Sequence, residues 1–261
     1  MQVKRLPMNW KRWFKILAPL LIIGLLFFWL RTDFWLVRKV SCQFDDSDCP
    51  LDIFNKARSL SLGKNILFFS KGELEENLKE KFPQIHLVEI KRGIPHSLVF
   101  TLSSRKSVVA LAVELPLLDL EATESAEIEG PEFNLSGTFY FLDQQGVVLE
   151  KVSESKNLPL ILVSNDPQLN FGDQIKKEEI MKTIELLSGL RLRLINPKIA
   201  KIISLREIRV WLENDLLCLF NFTKDIDEQL DSLQLISSRA KIEGKQIKRI
   251  DLRFDKPVIA Y

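Results

Sequence analysis

The run from Ile16 to Leu30, ILAPLLIIGLLFFWL, carries no charge and constrains this chain more than any other segment. Fifteen helical residues rise about 22 Å, short of a hydrocarbon core of roughly 30 Å. Trp13 and Phe14 lengthen the apolar stretch, Lys15 and Arg31 can snorkel, and Phe34, Trp35 and Leu36 suit the far interface. One transmembrane helix over residues 13–35 is therefore expected. A cleaved signal peptide would need small residues after its apolar core, and the bulky FFWLRTDFW follows instead.

Charge gives the direction of insertion. Lys4, Arg5, Lys11, Arg12 and Lys15 precede the run with no acidic residue among them, whereas Arg31, Arg38 and Lys39 follow it together with Asp33. The bias predicts a cytoplasmic tail over residues 1–12 and an extracytoplasmic location for the bulk of the chain. The whole chain has 37 basic and 35 acidic residues, and removing those first five leaves 32 against 35. Such a balance argues against nucleic-acid binding, which needs a clustered basic surplus.

Beyond the membrane the chain reads as α+β. Strand Val37–Phe44 leads to a helix over Leu51–Leu60, entered through Pro50 and stopped by Gly63. A second helix starts at Ser70, where Glu73 completes a capping-box pattern, and ends at Pro83. Strands Ile85–Lys91 and Leu98–Ser103 form a hairpin around Gly93 and Pro95. The segment 114–137 holds seven acidic residues and no basic one, and reads as an acidic loop insertion. A second region follows. It comprises a hairpin (Phe139–Leu142, Val147–Leu149), a strand at Leu160–Val163 and a helix over Lys176–Leu190. Strands at Ile199–Ser204, Glu207–Leu212 and Leu216–Phe222 come next, then a helix over Asp225–Ile242. Ile250, Leu252 and Phe254 alternate with Arg249, Asp251 and Arg253 as in a half-buried strand, and a last short strand follows Pro257.

Cys42 and Cys49, in SCQFDDSDCP, stand seven positions apart in a compartment that permits oxidation. Two readings stay open for them, a short disulfide and a pair of free thiols. Asp45, Asp46 and Asp48 lack the glycine and closing glutamate of a calcium loop. Cys218, in DLLCLFNF, suits a packing role. His86 and His96 have no nucleophile or carboxylate in a recognisable motif, and the ten glycines form no phosphate loop. No catalytic residue, cofactor or metal site is expected.

A strand, two helices and a hairpin directly after one anchor resemble a POTRA domain. The runs GKNIL, FPQI, VEIKRGIPHSL and SSRKSVVAL, with Pro83, Arg92, Pro95 and Arg105 in order, resemble the FtsQ/DivIB family of cell-division proteins. FLDQQGVVL and the terminal IDLRF extend the likeness over nearly all of the chain, while Ser104, Ser107 and the cysteine pair depart from the family pattern. The resemblance implies a POTRA domain over residues 36–104 and a mixed-sheet β domain with two helices over 105–261. It also implies a non-enzymatic, single-pass scaffold at the division septum with other divisome proteins as partners. The C-terminal edge strand, Arg249, Ile250, Asp251, Leu252, Arg253 and Phe254, would receive a segment of an FtsB/DivIC-like protein that is itself paired with an FtsL-like one. Arg92 and Arg105 read as surface or interface arginines. The alternative is an anchored POTRA protein handling polypeptides in export or envelope assembly. It would need repeated POTRA domains or a transmembrane barrel, and neither pattern occurs here.

Overall fold

A computed structural model describes residues 20–25, 27–115, 133–154 and 157–261, which fall into two compact units divided between Ser104 and Arg105. Residues 20–25 and 27–30 are helical, and Leu20, Ile22, Leu25, Phe27 and Phe28 all face outward. Among the described residues no helix is long and apolar enough to cross a membrane, and residues 13–19 of the expected span lie outside them. The far end of that span differs from expectation. The helix stops at Leu30, where the Thr32 hydroxyl donates to the Trp29 carbonyl at 2.7 Å, and Asp33–Trp35 forms a separate 3-10 turn.

In the first unit, strands β1 (Lys39–Phe44), β2 (Ser47–Asp48), β3 (Ile85–Gly93) and β4 (Ser97–Ser104) form one sheet in the order β2-β1-β4-β3. β1 runs parallel to β4, and β3 antiparallel to it. Asp45 and Asp46, both at positive φ, form the tight turn between β1 and β2, so these aspartates shape a hairpin. Helices α1 (Leu51–Ser61) and α2 (Lys71–Lys81) bury Ile53, Ala57, Leu74 and Leu78 against Val88, Ile90, Leu98 and Phe100 of the sheet. The Ser70 hydroxyl accepts the Glu73 N–H at 3.3 Å, which supplies one half of the capping box. Gly63, at φ +76°, takes the left-handed conformation that ends α1. Cys42 and Cys49 are disulfide-bonded, with Cα atoms 5.5 Å apart.

The second unit is built on a nine-stranded mixed sheet in the order β13-β12-β11-β10-β9-β8-β5-β6-β7. Its strands are β5 (Val109–Glu114), β6 (Leu135–Leu142), β7 (Val148–Val152), β8 (Leu160–Val163), β9 (Pro197–Ser204), β10 (Glu207–Leu212), β11 (Leu217–Phe220), β12 (Arg249–Asp251) and β13 (Val258–Ala260). Helices α3 (Glu178–Leu192) and α4 (Ile226–Glu243) cover one face. There Ile184, Leu187, Leu230 and Leu233 pack with Val109, Leu111, Val210, Phe220 and Ile250. The other face has a smaller cluster of Ala110, Ala112, Phe139, Phe141 and Leu162. β5, for which the sequence reading assigns no strand, is thus apolar on both sides and lacks the alternation that marks a half-buried strand. The acidic insertion is also shorter than its expected limits, because Glu114 closes β5 and residues 135–137 open β6. Residues 116–132 lie outside the described ones.

Arg105 is not a surface arginine. Its side chain is 11% exposed, and its Nη1 donates to Asp143 Oδ2 at 2.5 Å and to Gln145 Oε1 at 2.7 Å. Asp143 Oδ1 accepts the N–H groups of Gln145 and Val147, so one buried carboxylate holds the β6–β7 turn together. Gly146 is required in that turn. It sits at φ +74°, and a Cβ there would lie 2.8 Å from the Met181 sulfur and 3.0 Å from the Ile175 carbonyl oxygen. Arg92, although exposed, is tied to its own unit through the Phe69 carbonyl and lies over the Phe69 ring at 4.9 Å.

Candidate functional site

The end of the nine-stranded sheet is built from two short strands that the sequence joins through residues 252–257. Ile250 and Leu252 point into the core under α3 and α4, which fixes the register of β12. β12 pairs in parallel with β11, Cys218 lying opposite Ile250, and the Leu252 N–H donates to the Leu219 carbonyl at 2.9 Å. On its other side β12 pairs antiparallel with β13, matching Arg249 with Ala260, Ile250 with Ile259 and Asp251 with Val258.

This arrangement corrects the expected edge. The strand carrying Arg249, Ile250 and Asp251 is second from the end, and the outermost strand is Val258–Ala260. The chain turns back after Phe254 and uses the outer backbone groups of β12 itself. Leu252, Arg253 and Phe254 lie past the end of β12. Of the six residues, Ile250, Asp251 and Leu252 are buried, Arg253 is half-buried, and Arg249 and Phe254 are exposed, Phe254 at 58%.

The outward row is a charge network. Arg253 clasps Asp251 through Nε at 2.9 Å and Nη2 at 2.7 Å, and reaches Glu207 on β10 through Nη1 at 2.7 Å. Glu207 also takes Arg209, while Arg249 stands 3.5 Å from Asp251. Asp251 is only 5% exposed, in a cross-strand row between Leu219 and Val258. Burial pushes its carboxyl up, but the hydrogen bonds and charge of Arg253 outweigh this and hold it below the usual aspartate range. Asp251 and Arg253 therefore serve the fold first, whereas Arg249, half of its side chain exposed, makes one long contact to Asp251. Glu207 was missed in the sequence because it is 46 positions from the arginine it binds.

At the opposite end of the sheet, the start of β7 is covered by residues 172–174. Val148 donates to the Asp173 carbonyl and Gly172 donates to that of Val148. β13 is different, since Val258 and Tyr261 stand out into solvent. The other groups singled out in the sequence do not converge here. His86 is exposed on β3, His96 precedes β4, and Cys218 is buried at the centre of β11, where desolvation pushes its thiol up to about 12.

Residues 134–253 match the family described as cell division protein FtsQ/DivIB, C-terminal. This segment is an FtsQ/DivIB C-terminal domain. The family is one of non-catalytic division proteins. The FtsQ/DivIB match runs from just before β6 to the end of the Arg253 clasp, so it takes in the whole charge network and leaves β13 outside. Comparison with curated proteins finds no match.

Proposed function

We propose that this chain is a bitopic, non-enzymatic scaffold of the bacterial divisome. It links early and late division proteins and binds an FtsB/DivIC–FtsL-type complex at the C-terminal end of its sheet during septum formation. The observation that carries the reading is that the FtsQ/DivIB match closes on the short strand β12, with the three-residue β13 beyond it as the edge of the sheet. Unpaired backbone groups along such an edge are a template for an added strand, in which the main chain supplies affinity and alternate side chains supply register. In this reading the first unit, a four-stranded sheet carrying two helices, is a POTRA domain that precedes the β domain in the chain. The outward-facing apolar helix of residues 20–25 and 27–30 supports an anchor beginning near Trp13, with the N-terminus cytoplasmic.

The test is capture of the same organism's FtsB/DivIC-type protein by the full chain in detergent or nanodiscs. Arg249→Glu changes an exposed side chain of β12 without touching the core, and is expected to weaken capture about ten-fold, the scale of one lost charge-assisted contact. Capture unaffected by Arg249→Glu and by a Pro at Ile259 would remove the sheet edge from the proposal. Even fluorescence around the envelope during constriction, in place of a septal band, would favour the export reading.

A further inference from the structure

One end of the first unit is built against the foot of the apolar helix. The Asn65 side chain donates to the Leu30 carbonyl at 2.9 Å while its Oδ1 accepts the Leu67 N–H, so the 62–68 loop is strapped to the last helical residue. Val37 N–H donates to the Lys64 carbonyl and Ile66 N–H to that of Trp35, closing the same loop on residues 35–37. Arg38 and Lys39 both donate to the His96 carbonyl, which brings the β3–β4 turn alongside. Phe34, Leu62, Phe68 and Ile94 come from these three stretches, and each is between 46% and 65% exposed. Phe68 N–H closes a turn on the Asn65 carbonyl, so its Cα stands within about 7 Å of Asn65. Charge is sorted along the unit in the same sense. Residues 31–39, 62–73 and 92–97, at this end, hold Arg31, Arg38, Lys39, Lys64, Lys71 and Arg92 against Asp33 and Glu73. Residues 44–52 and 79–86, at the other end, hold Asp45, Asp46, Asp48, Asp52 and Glu80 against Lys79 and Lys81.

We infer that this end of the first unit is a second membrane contact, with Leu62, Phe68 and Ile94 dipping into the lipid interface beside Phe34 and the surrounding cations resting on lipid phosphates. The inference rests on the anchor of the proposed function and adds a surface of the folded unit to it. An apolar helix that stops at Leu30 puts that residue at the interface, and the Asn65 bond carries the loop to the same depth. Exposed apolar side chains rimmed by Lys and Arg are the pattern of interfacial binding, where buried apolar area and attraction to anionic lipid act together. The occupant is a lipid surface because the patch is continuous with the segment that enters the bilayer, and because its charge is opposite to that of anionic headgroups. The acidic end then points away from the lipid. Two contacts, the helix and the loop rim, hold the unit in one orientation to the membrane, which one flexible tether could not do.

The experiment places an environment-sensitive fluorophore on single introduced cysteines of the full chain in nanodiscs of phosphatidylglycerol and phosphatidylcholine, with and without lipid carrying a nitroxide high on its acyl chain. Cys42 and Cys49 are bonded and Cys218 is buried, which leaves the introduced thiol as the target among the described residues. Phe68→Cys and Ile94→Cys labels are expected to lose most of their fluorescence to the nitroxide. Leu51→Cys, 77% exposed at the other end of α1 and about 15 Å along that helix from Ser61, is expected to keep it. Arg38→Gln and Lys64→Gln should lower the ratio of lipid-inserted to water-exposed Ile94 label, about five-fold for each cation lost. A Leu25→Cys label reads the anchor itself. Quenching at Leu25 without quenching at Phe68 and Ile94 overturns the second contact while the anchor stands, and so does equal quenching at Leu51 and Phe68. Absence of quenching at Leu25 overturns the anchor, and the second contact with it. Quenching at Ile94 that ignores both substitutions overturns the role given to the cations.

Discussion

Asp251 is a buried carboxylate held by the Arg253 guanidinium at the sheet end. Its carboxyl lies below the ordinary aspartate value in the folded chain and returns to about 3.9 on unfolding. A group with a depressed folded value contributes its full stabilisation above the unfolded value and loses it as pH falls through the folded one. Asp251→Asn is therefore expected to lower stability by about 1.5–3 kcal/mol at pH 6, the range for hydrogen bonds to charged groups. The gap between the two proteins, read from urea midpoints, should close as pH drops below about 4. A gap constant to pH 2.5 would show that the Arg253 clasp is not what Asp251 supplies. Of the alternation of Ile250, Leu252 and Phe254 with Arg249, Asp251 and Arg253, Ile250 and Leu252 do face the core, but β12 ends at Asp251, Phe254 is exposed beyond it, and the pattern cannot tell a solvated face from a networked one. That difference comes from Glu207 and Leu219, brought alongside only by the order of strands. Arg105 misleads for the same reason, since its partner Asp143 is 38 residues away.

Among the elements, those governed by local chemistry are the ones legible in the chain. Ser70 marks the start of α2, Asp225 caps α4 by accepting the Glu228 N–H at 3.0 Å, and Gly244 at φ +67° ends it. The central strand β5 escapes because VVALAV is apolar without a period, and a run of that length suits a buried helix or a buried strand equally. Its neighbours β6 and β8, and the place of β13 beyond β12, are set by long-range pairing that no local pattern encodes. The β1–β2 hairpin adds a covalent closure, because the Cys42–Cys49 bond spans the turn at Asp45 and Asp46. Closing a loop of that length removes unfolded-state entropy equivalent to about 2.5 kcal/mol. The Cys42→Ser, Cys49→Ser double variant is expected to lose about that amount. Reduction of the parent protein should do the same, with faster amide exchange in β1 and no change in β11. Equal stability of parent and variant would mean that the β1–β4 ladder and the packing of Ile53 and Phe100 already hold the hairpin.

On the scale of the whole molecule, the charge distribution and the disulfide make one joint demand. A chain whose first thirty residues hold five basic side chains and no acidic one should retain that end in the cytoplasm. The remaining residues, with their small acidic excess, then fold where a disulfide persists. If the five basic residues set the orientation, replacing Lys4, Arg5, Lys11, Arg12 and Lys15 with Gln leaves Arg31, Arg38 and Lys39 as the dominant positive flank and should invert part of the population. A C-terminal alkaline phosphatase fusion, active only outside the cytoplasm, reads the outcome. The parent fusion is expected to be active and to carry an oxidised Cys42–Cys49 pair. The substituted fusion should lose most of its activity, and its cysteines should become accessible to alkylation in the same proportion. Inversion without loss of the disulfide would break the link between membrane orientation and cysteine chemistry. An inactive but stable parent fusion would place the FtsQ/DivIB domain on the cytoplasmic side and deny it the extracytoplasmic partner on which the proposed function depends.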